Sequence, residues 1–305
     1  MELYWAGKEI TQHVNITGCV HKDASHGRSD SLILTLDHAS TWYRWGPEED
    51  DEIRIFHEND DTGNMYLNAV IPIGDQYRVI ATSLKRAAAR KAWASWQKTS
   101  LQTLFNQCAA ECGMTAKIYG TEGTLDIPYA IRENEGCAAF LDRIGRREGI
   151  AVKAYNGAFR GIGITYAQNR KADMTITISA KQEGVTYKRR ENTKYTGITV
   201  RTPYAAAMAR DTAAKGNNTP TLTRLPALNN AQAGRWARGL LLDHNREAEE
   251  IRIETKLDTR LTAMARVDIT GGTDMDGAWI VDEAEHDLHN RNTTARLLRV
   301  IDSIL

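Results

Sequence analysis

Three cysteines have a spacing that could support thiol chemistry. Cys108 and Cys112 lie four residues apart on a predicted helix, and Cys137 lies on the next one. Such a set could hold a metal ion or exchange disulfides, but it contains no C-x-x-C pair and no adjacent histidine. All three fall on the apolar stripes of their helices, where cysteine behaves as a small hydrophobic residue. We therefore predict that they are core residues.

Two histidines form a second candidate site. His286 and His289 lie three residues apart among acidic residues that could add oxygen ligands, namely Asp282, Glu283, Glu285 and Asp287. Imidazole and carboxylate groups together suit several divalent metals. The surrounding residues predict strand and turn, a context in which the two histidines need not converge. A solvated hairpin is therefore favoured, and a metal site at His286 and His289 stays as the alternative.

No residue pattern predicts catalysis. The acidic run from Glu48 to Glu52 follows a Gly-Pro pair and is typical of a solvated loop. The glycines between residues 157 and 163 lack the strand-to-helix context of a phosphate-binding loop. The sequence has no motif of serine hydrolases, zinc proteases or protein kinases. We expect no enzymatic activity, assign no catalytic residue and predict no cofactor.

A basic segment, residues 84–96, interleaves positive charges with tryptophans. It could be a connector whose tryptophans anchor the first helix, a surface that stacks on single-stranded nucleic acid, or a protein interface. Charge balance elsewhere leaves no broad basic face, which disfavours nucleic acid. The connector is favoured, and the candidate protein-interface residues are Arg86, Arg90, Trp93 and Trp96.

The elements that position these residues begin with a β unit over residues 1–92. Short strands alternate there with turns rich in Gly, Asp and Asn, the pattern of a small antiparallel β-barrel or sandwich. Leu32, Leu34 and Leu36 share one strand face, and Ile53 and Ile55 share a face of the next strand. These alternating residues predict the core side of the sheet.

An inserted α+β unit is predicted over residues 93–170. Thr99 or Ser100 is a plausible N-cap for a first helix, which ends near Gly113. A second helix spans roughly 134–148 and ends at Gly149. Asn-Gly at 156–157, between two β-like runs, predicts a hairpin because both residues tolerate positive φ.

Residues 171–305 are predicted to form a second small β-barrel with a loop and helix insertion at about 203–248. Residues 203–228 are rich in Ala, Thr, Asn and Pro and predict a long loop. With few large apolar residues to bury, this loop is expected to order on assembly. A helix capped by Asn230 then runs to about residue 248, with Trp236 on its buried face.

Composition excludes several classes of protein. The 305 residues carry 39 basic and 39 acidic side chains, and 42% are hydrophobic, which excludes wholesale disorder. The neutral total argues against a general nucleic-acid binder and weakly favours a component of an assembly. We expect no signal peptide and no membrane segment. Four cysteines do not make a disulfide scaffold, so synthesis in a reducing cytoplasm is expected.

The order of these units resembles the late-control-D, or baseplate hub, family of contractile phage tails. The most specific stretch is 127–157, with Glu135, Phe140-Leu141, Arg143, Glu148-Gly149 and Asn156-Gly157 in the family's order. Residues 65–83 resemble the last hairpin of the family's first barrel, and residues 276–300 its closing hairpin. Two stretches depart from the pattern: Asn68-Ala69 replaces an expected glycine, and residues 203–248 do not align.

The resemblance implies an α+β, mainly β fold with two tail-tube-like antiparallel β-barrels and an inserted helical unit. Three chains would form a homotrimeric ring of six barrels that joins a six-fold tail tube to a three-fold central spike. Implied partners are the trimeric tail spike protein, the tail tube protein and baseplate wedge proteins. DNA would pass through the channel without specific binding. The protein would be made in the bacterial cytoplasm and located in the virion baseplate.

Two alternative functions come from other classes. A tail-associated cell-wall hydrolase would need a carboxylate pair or a zinc site in a cleft, and the sequence has a motif for neither. A single-stranded nucleic-acid-binding β-barrel protein would use residues 84–96. Binding to DNA that weakens with salt would support the second alternative.

Overall fold

The computed structural model describes residues 1–39, 45–58, 60–120, 122–179 and 181–305. Strands account for 46% of the chain and helices for 21%, so the prediction of a mainly β protein with few helices is confirmed. Single 3-10 turns connect some elements, at Thr11–His13, Arg86–Ala89, Glu122–Thr124, Glu191–Thr193 and Arg246–Ala248. In the described part of the chain, no helix has the length and apolar character that crossing a bilayer requires.

The described residues of the N-terminal β unit form eight strands. They are β1 (Glu2–Trp5), β2 (Lys8–Glu9), β3 (Ile16–Ala24), β4 (Ser31–Asp37), β5 (Glu52–His57), β6 (Asp60–Asp61), β7 (Met65–Ile73) and β8 (Gln76–Thr82). The predicted alternation is confirmed, because Leu32, Leu34, Leu36, Ile53 and Ile55 have no exposed surface. Each such side chain contributes about 1.5–3 kcal/mol by burial, so this row forms the core of the unit.

The helical unit follows. Its elements are β9 (Ala92–Ser100), α1 (Leu101–Glu111), β10 (Thr115–Tyr119), β11 (Asp126–Glu135), α2 (Cys137–Glu148), β12 (Ile150–Tyr155), β13 (Ala158–Gly163) and α3 (Ile164–Asn169). Ser100 is the N-cap of α1, since its Oγ accepts a hydrogen bond from the Thr103 amide at 3.1 Å. Gly149 ends α2 in the left-handed region at φ 72°, where glycine has no Cβ to clash. Asn156 and Gly157, both at positive φ, turn β12 into β13 as predicted.

In the C-terminal part, the residues that the structure describes form nine strands and one long helix. They are β14 (Met174–Thr177), β15 (Val185–Arg189), β16 (Gly197–Arg201), β17 (Ala206–Arg210), β18 (Thr221–Leu222), α4 (Asn230–Asn245), β19 (Glu249–Lys256), β20 (Arg266–Thr270), β21 (Gly277–Asp287) and β22 (Asn292–Arg299). Trp236 lies on the buried face of α4, as predicted. The cap is Asn229 and not Asn230, because Asn229 has an extended backbone and its Oδ1 accepts from the Gln232 amide at 2.8 Å.

The segment 203–228 is not a continuous loop, which corrects the sequence prediction. Strand β17 pairs antiparallel with β16, and β18 pairs parallel with its other edge. Ala205 and Ala209 are buried in a core shared with Ala233, Trp236 and Ala237 of α4. Their small side chains bring the strand close to the helix, a packing that a hydrophobicity pattern built on large residues does not reveal. The expectation that residues 203–228 order only on assembly stays a prediction.

One large sheet joins the N-terminal and C-terminal units. Strand β3 pairs antiparallel with β21, with His21 opposite His286. Pairing runs in the order β15-β19-β22-β21-β3-β4-β8-β7-β5-β1-β2, with β20 also on β21, β14 on β20 and β6 on β5. Among the described residues this path is open, and no strand pair closes it into a barrel. The alternation of apolar residues predicts which face of a strand is buried, but it does not specify the partner strand.

A buried polar cluster lies where the three parts of the chain meet. Lys153 of β12 forms an ion pair with Asp23 of β3, and its Nζ lies 3.2 Å from Oδ2 of Asp30. Asp23 also accepts a hydrogen bond from the Ala263 amide at 3.0 Å. The cluster therefore connects the helical unit to both β units. The domain boundaries near residues 92 and 170 stay a prediction.

Candidate protein-interaction site

The basic segment 84–96 consists of a 3-10 turn at Arg86–Ala89 followed by strand β9. This strand is not among the predicted elements, because it is rich in Ala, Ser and Trp and lacks a clear alternation of large apolar residues. Strand β9 pairs antiparallel with β11, with Trp96 opposite Ala130. The connector is therefore half of a two-stranded ribbon that belongs to the helical unit.

The two tryptophans of the segment lie on opposite faces of β9, since they are three residues apart on a strand. Trp96 stacks on Phe140 of α2 with ring centroids 4.9 Å apart, and its Nε1 donates to Gln107 of α1 at 2.6 Å. It thus contacts both helices, whereas the connector interpretation expects both tryptophans to anchor the first helix. Trp93 has 70% of its surface exposed. Of the two, Trp93 is the one available to a partner.

The two arginines of the candidate set also differ. Arg86 forms an ion pair with Glu49, and its amide donates to Oδ1 of Asp50 at 3.0 Å. The acidic run at 48–52 and the basic segment therefore meet within one chain, above a cleft of about 670 Å³ between the N-terminal and helical units. Arg90 is exposed beyond the turn. These pairings reduce the positive field that nucleic acid would require.

The β9–β11 ribbon has an unusual edge. Both strands are long, and in the described part of the chain each pairs only with the other. Unpaired strand edges can accept a further strand from a partner protein. Trp93 lies beside one such edge. The interface role of Arg86, Arg90, Trp93 and Trp96 stays a prediction.

The three helical cysteines are buried in the core of the helical unit, as predicted. They are nevertheless not in purely apolar surroundings. The Cys137 Sγ accepts a hydrogen bond from Nη1 of buried Arg132 at 2.8 Å, and Arg132 also pairs with Glu111 at 2.8 Å. Hydrogen bonds with Cys108 and Cys112, the larger effect being from Cys108, lower the pKa of Cys137. The positive charge of Arg132 lowers this pKa further. Sequence analysis missed Arg132, because an arginine in a strand normally indicates a solvent-exposed position.

His286 and His289 do not converge. His286 is buried on β21 with its Nδ1 2.9 Å from the Thr293 hydroxyl, whereas His289 is exposed in the following turn. The neighbour of His286 is His21 of β3, with ring centroids 6.1 Å apart, and His21 Nδ1 lies 3.2 Å from Asp60. Within the described ranges, no group of three or more histidine, cysteine or acidic side chains has an arrangement that could hold a metal ion.

The buried histidine predicts sensitivity to acid. Burial lowers the pKa of His286 to about 4, while Asp60 and Asp258 oppose this shift and His21 adds to it. Between this value and about 6.5 the unfolded chain binds the proton that the folded chain excludes, so stability falls as pH falls. We expect the free energy of unfolding to be about 2 kcal/mol lower at pH 5 than at pH 7 through this residue. Urea unfolding at both pH values measures it.

Two variants test the assignment of this acid sensitivity. His286→Gln removes the titrating group and should reduce the difference between pH 7 and pH 5 by about 2 kcal/mol. His289→Gln, in the exposed turn, should leave the difference unchanged. Equal pH dependence in the wild type and His286→Gln would contradict the prediction.

No family model matches the chain, and no curated protein matches its sequence. In structure it is similar to the tail protein from Neisseria meningitidis MC58, with a TM-score of 0.76, 12% identity and coverage of 98% of this chain and 95% of that one. It is similar to the 43 kDa tail protein of prophage MuSo2 from Shewanella oneidensis, with a TM-score of 0.77 and 10% identity over 99% and 98% of the two chains.

A third similar structure is a component of the type VI secretion system of E. coli. The TM-score is 0.62 at 10% identity, with coverage of 99% of this chain and 78% of that one. At such identities the likeness concerns the fold. The chain therefore has a fold found in phage tail proteins and in a type VI secretion component, and it has this fold over nearly its whole length.

Proposed function

We propose that this chain is the structural baseplate hub of a contractile phage tail or a related injection particle. In this role it forms a homotrimeric ring that adapts the six-fold tail tube to the three-fold central spike, without enzymatic activity. The observation that carries the proposal is the likeness to tail proteins over 98% of the chain. Full-length likeness matters because it includes the helical unit as well as the β units.

The two β units of each chain have separate apolar cores, which supports a ring that joins a six-fold tube to a three-fold spike. The N-terminal unit buries one apolar cluster that includes Leu34 and Ile53, and the C-terminal unit buries another that includes Trp279 and Leu297. We propose that each unit curves around its own cluster as a barrel, so that three chains present six similar barrels. Pairing of β3 with β21 sets the relative orientation of the two units within a chain.

The proposal implies partners and a location. The ring would contact the tail tube protein on one face, the trimeric spike protein on the other and baseplate wedge proteins at its rim. The protein would be made in the host cytoplasm and reside in the virion. DNA would cross the central channel without specific binding, consistent with a chain whose formal net charge is zero.

Solution mass and imaging test the hub directly. We expect sedimentation at low micromolar concentration to give three times the mass of the 305-residue chain. Negative-stain images should show a three-fold ring with a central channel. A strictly monomeric protein that also fails to bind the cognate spike would overturn the proposal.

Replacement of Trp93 should separate folding from assembly. Trp93→Ser removes a side chain that is 70% exposed, so the free energy of unfolding should change by less than about 0.5 kcal/mol. A tryptophan that is an interface hot spot contributes about 2 kcal/mol or more to binding. We therefore expect weaker trimer formation or weaker incorporation into tails, measured by sedimentation and by complementation.

The matched variant is Trp96→Ser on the opposite face of the same strand. It removes the stack on Phe140 and should lower the free energy of unfolding by about 3 kcal/mol. If Trp93→Ser trimerises and enters tails like the wild type, Trp93 is not an interface residue.

A further inference from the structure

A cavity of about 660 Å³ lies where the helical unit meets the C-terminal β unit. Elements from five parts of the chain surround it: the loop after β3, helix α2, the segment between β15 and β16, the end of α4 and the strands β16, β18 and β22. One side is exceptionally rich in guanidinium groups. Its five arginines are Arg28, Arg146, Arg190, Arg246 and Arg296.

The arginines belong to an ion-pair network with an excess of positive charge. Three further cations join through shared carboxylates, namely Lys22, Lys188 and Arg252. The network holds six acidic side chains, which are Asp142, Asp243, Glu247, Glu250, Asp282 and Glu283. Eight cations face six carboxylates among the described residues, so the network can accept a small amount of added negative charge.

A buried hydrogen-bond donor of this cavity has no acceptor among the described residues. Nη1 of Arg246 donates to Nδ1 of His26 at 3.0 Å, because a guanidinium can only donate. Burial and the nearby arginines keep the pKa of His26 well below its ordinary value, so the ring is neutral and its proton is on Nε2. Nε2 of His26 is buried without a partner in the described part of the chain, whereas Nε of Arg246 lies 3.5 Å from Oδ1 of Asp243. Buried donors normally find acceptors, so this imidazole nitrogen indicates a missing acceptor.

The remaining wall of the cavity is apolar. Ile198, Pro220, Leu222 and Leu240 line it beside Tyr195. The Tyr195 ring stacks on His244 with centroids 3.7 Å apart and planes 7° apart. A ligand that fits both walls carries an anionic acceptor next to an aliphatic group. Guanidinium groups match carboxylate geometry with paired hydrogen bonds.

We propose that this cavity binds an acidic peptide segment of a partner protein, with a carboxylate at the arginines and an aliphatic side chain on the apolar wall. A polyanion such as nucleic acid fits less well, because the excess of two charges is small and one face of each aromatic ring is already covered by the other. The proposal rests on the proposed function only for the identity of the partner, another tail component.

Calorimetric titration of the full chain tests the chemistry with a defined probe. The probe is the capped peptide acetyl-Leu-Glu-Leu-Asp-Leu-amide, and the reference replaces its acids by Gln and Asn. At about 50 mM salt we expect submillimolar binding of the acidic peptide, at least about tenfold tighter than the reference, and weaker at higher salt. Failure to bind below about 1 mM, or equal binding of both peptides, would overturn the proposal.

Two adjacent arginines provide matched variants. Arg190 lines the cavity with a side chain 52% exposed, whereas Arg189 is 54% exposed and lies outside the cavity. Arg190→Gln should lower the affinity for the acidic peptide about fivefold, because a charged hydrogen bond is lost at a half-exposed position. Arg189→Gln removes the same charge and should change affinity by less than about twofold. An unchanged affinity in Arg190→Gln would contradict the site.

The same titration with other anionic ligands tests the assignment of the cavity to a peptide. Tighter binding of inorganic phosphate or of a single-stranded oligonucleotide than of the acidic peptide would overturn the peptide assignment. Failure of the hub proposal can be distinguished from failure of the cavity proposal, because trimer formation and peptide binding are measured separately. A trimer that binds no acidic peptide refutes only the cavity, and a monomer that binds it refutes only the hub.

Discussion

Replacing Lys153 by methionine should lower the free energy of unfolding by about 3–5 kcal/mol. The ammonium group is buried and contacts Asp23 and Asp30, both of which are also buried. Burial lowers the pKa of Lys153 to about 7 and raises that of Asp30 well above its ordinary value, so desolvation dominates this cluster. Methionine has a similar length, but it leaves two carboxylates without their counter-ion. Chemical unfolding followed by tryptophan fluorescence measures the loss.

The same sheet provides the control for Lys153. Lys117 lies on β10 and shares a cross-strand row with Lys153, because both are opposite Arg160 of β13. It is exposed, so Lys117→Met should change stability by less than about 0.5 kcal/mol. Adding Asp30→Asn to Lys153→Met should recover about 1–2 kcal/mol, since it replaces a carboxyl group that has lost its ammonium partner with a neutral amide. If Lys153→Met is no worse than Lys117→Met, the cluster does not hold the three parts together.

A single methyl group at Gly239 should lower the free energy of unfolding by about 3 kcal/mol. Gly239 of α4 packs against the C-terminus of α2. A Cβ at this position would lie 2.3 Å from the Arg147 carbonyl oxygen and 2.7 Å from the Gly149 nitrogen. Both are backbone atoms that end a helix, so they cannot move aside as a side chain would. Gly239→Ala must therefore separate the two helices, and the thermal midpoint reports the cost.

Gly234 is the matched control on the same helix. A Cβ there meets only the Ala207 Cβ, at an ordinary contact distance of 3.7 Å. Gly234→Ala should stabilise the protein by up to about 1 kcal/mol, because alanine is the better helix former. We therefore expect Gly239→Ala to lower the free energy of unfolding and Gly234→Ala to raise it. A loss of stability at both positions would indicate a general intolerance of α4, and no loss at Gly239 would contradict the close helix contact.

Local sequence patterns predicted which residues of the candidate interface matter, but not what each of them contacts. The tryptophans and arginines of residues 84–96 were identified from composition, but their roles depend on a strand that the composition concealed. Once β9 is formed, a spacing of three places Trp93 and Trp96 on opposite faces. The partner of Arg86 is Glu49, 37 residues earlier, and no local pattern connects the two.

Sequence alone determined the features that depend on neighbouring residues. Strand alternation around Leu34, an N-cap at Thr99 or Ser100 and the Asn156-Gly157 turn follow from steric and hydrogen-bond rules that act within a few positions. Tertiary structure decided which elements meet: β3 with β21, Gly239 with the end of α2, and five arginines from distant segments around one cavity. The physical reason is that periodicity specifies the buried face of an element, whereas its partner is selected by packing, charge pairing and backbone approach over the whole chain.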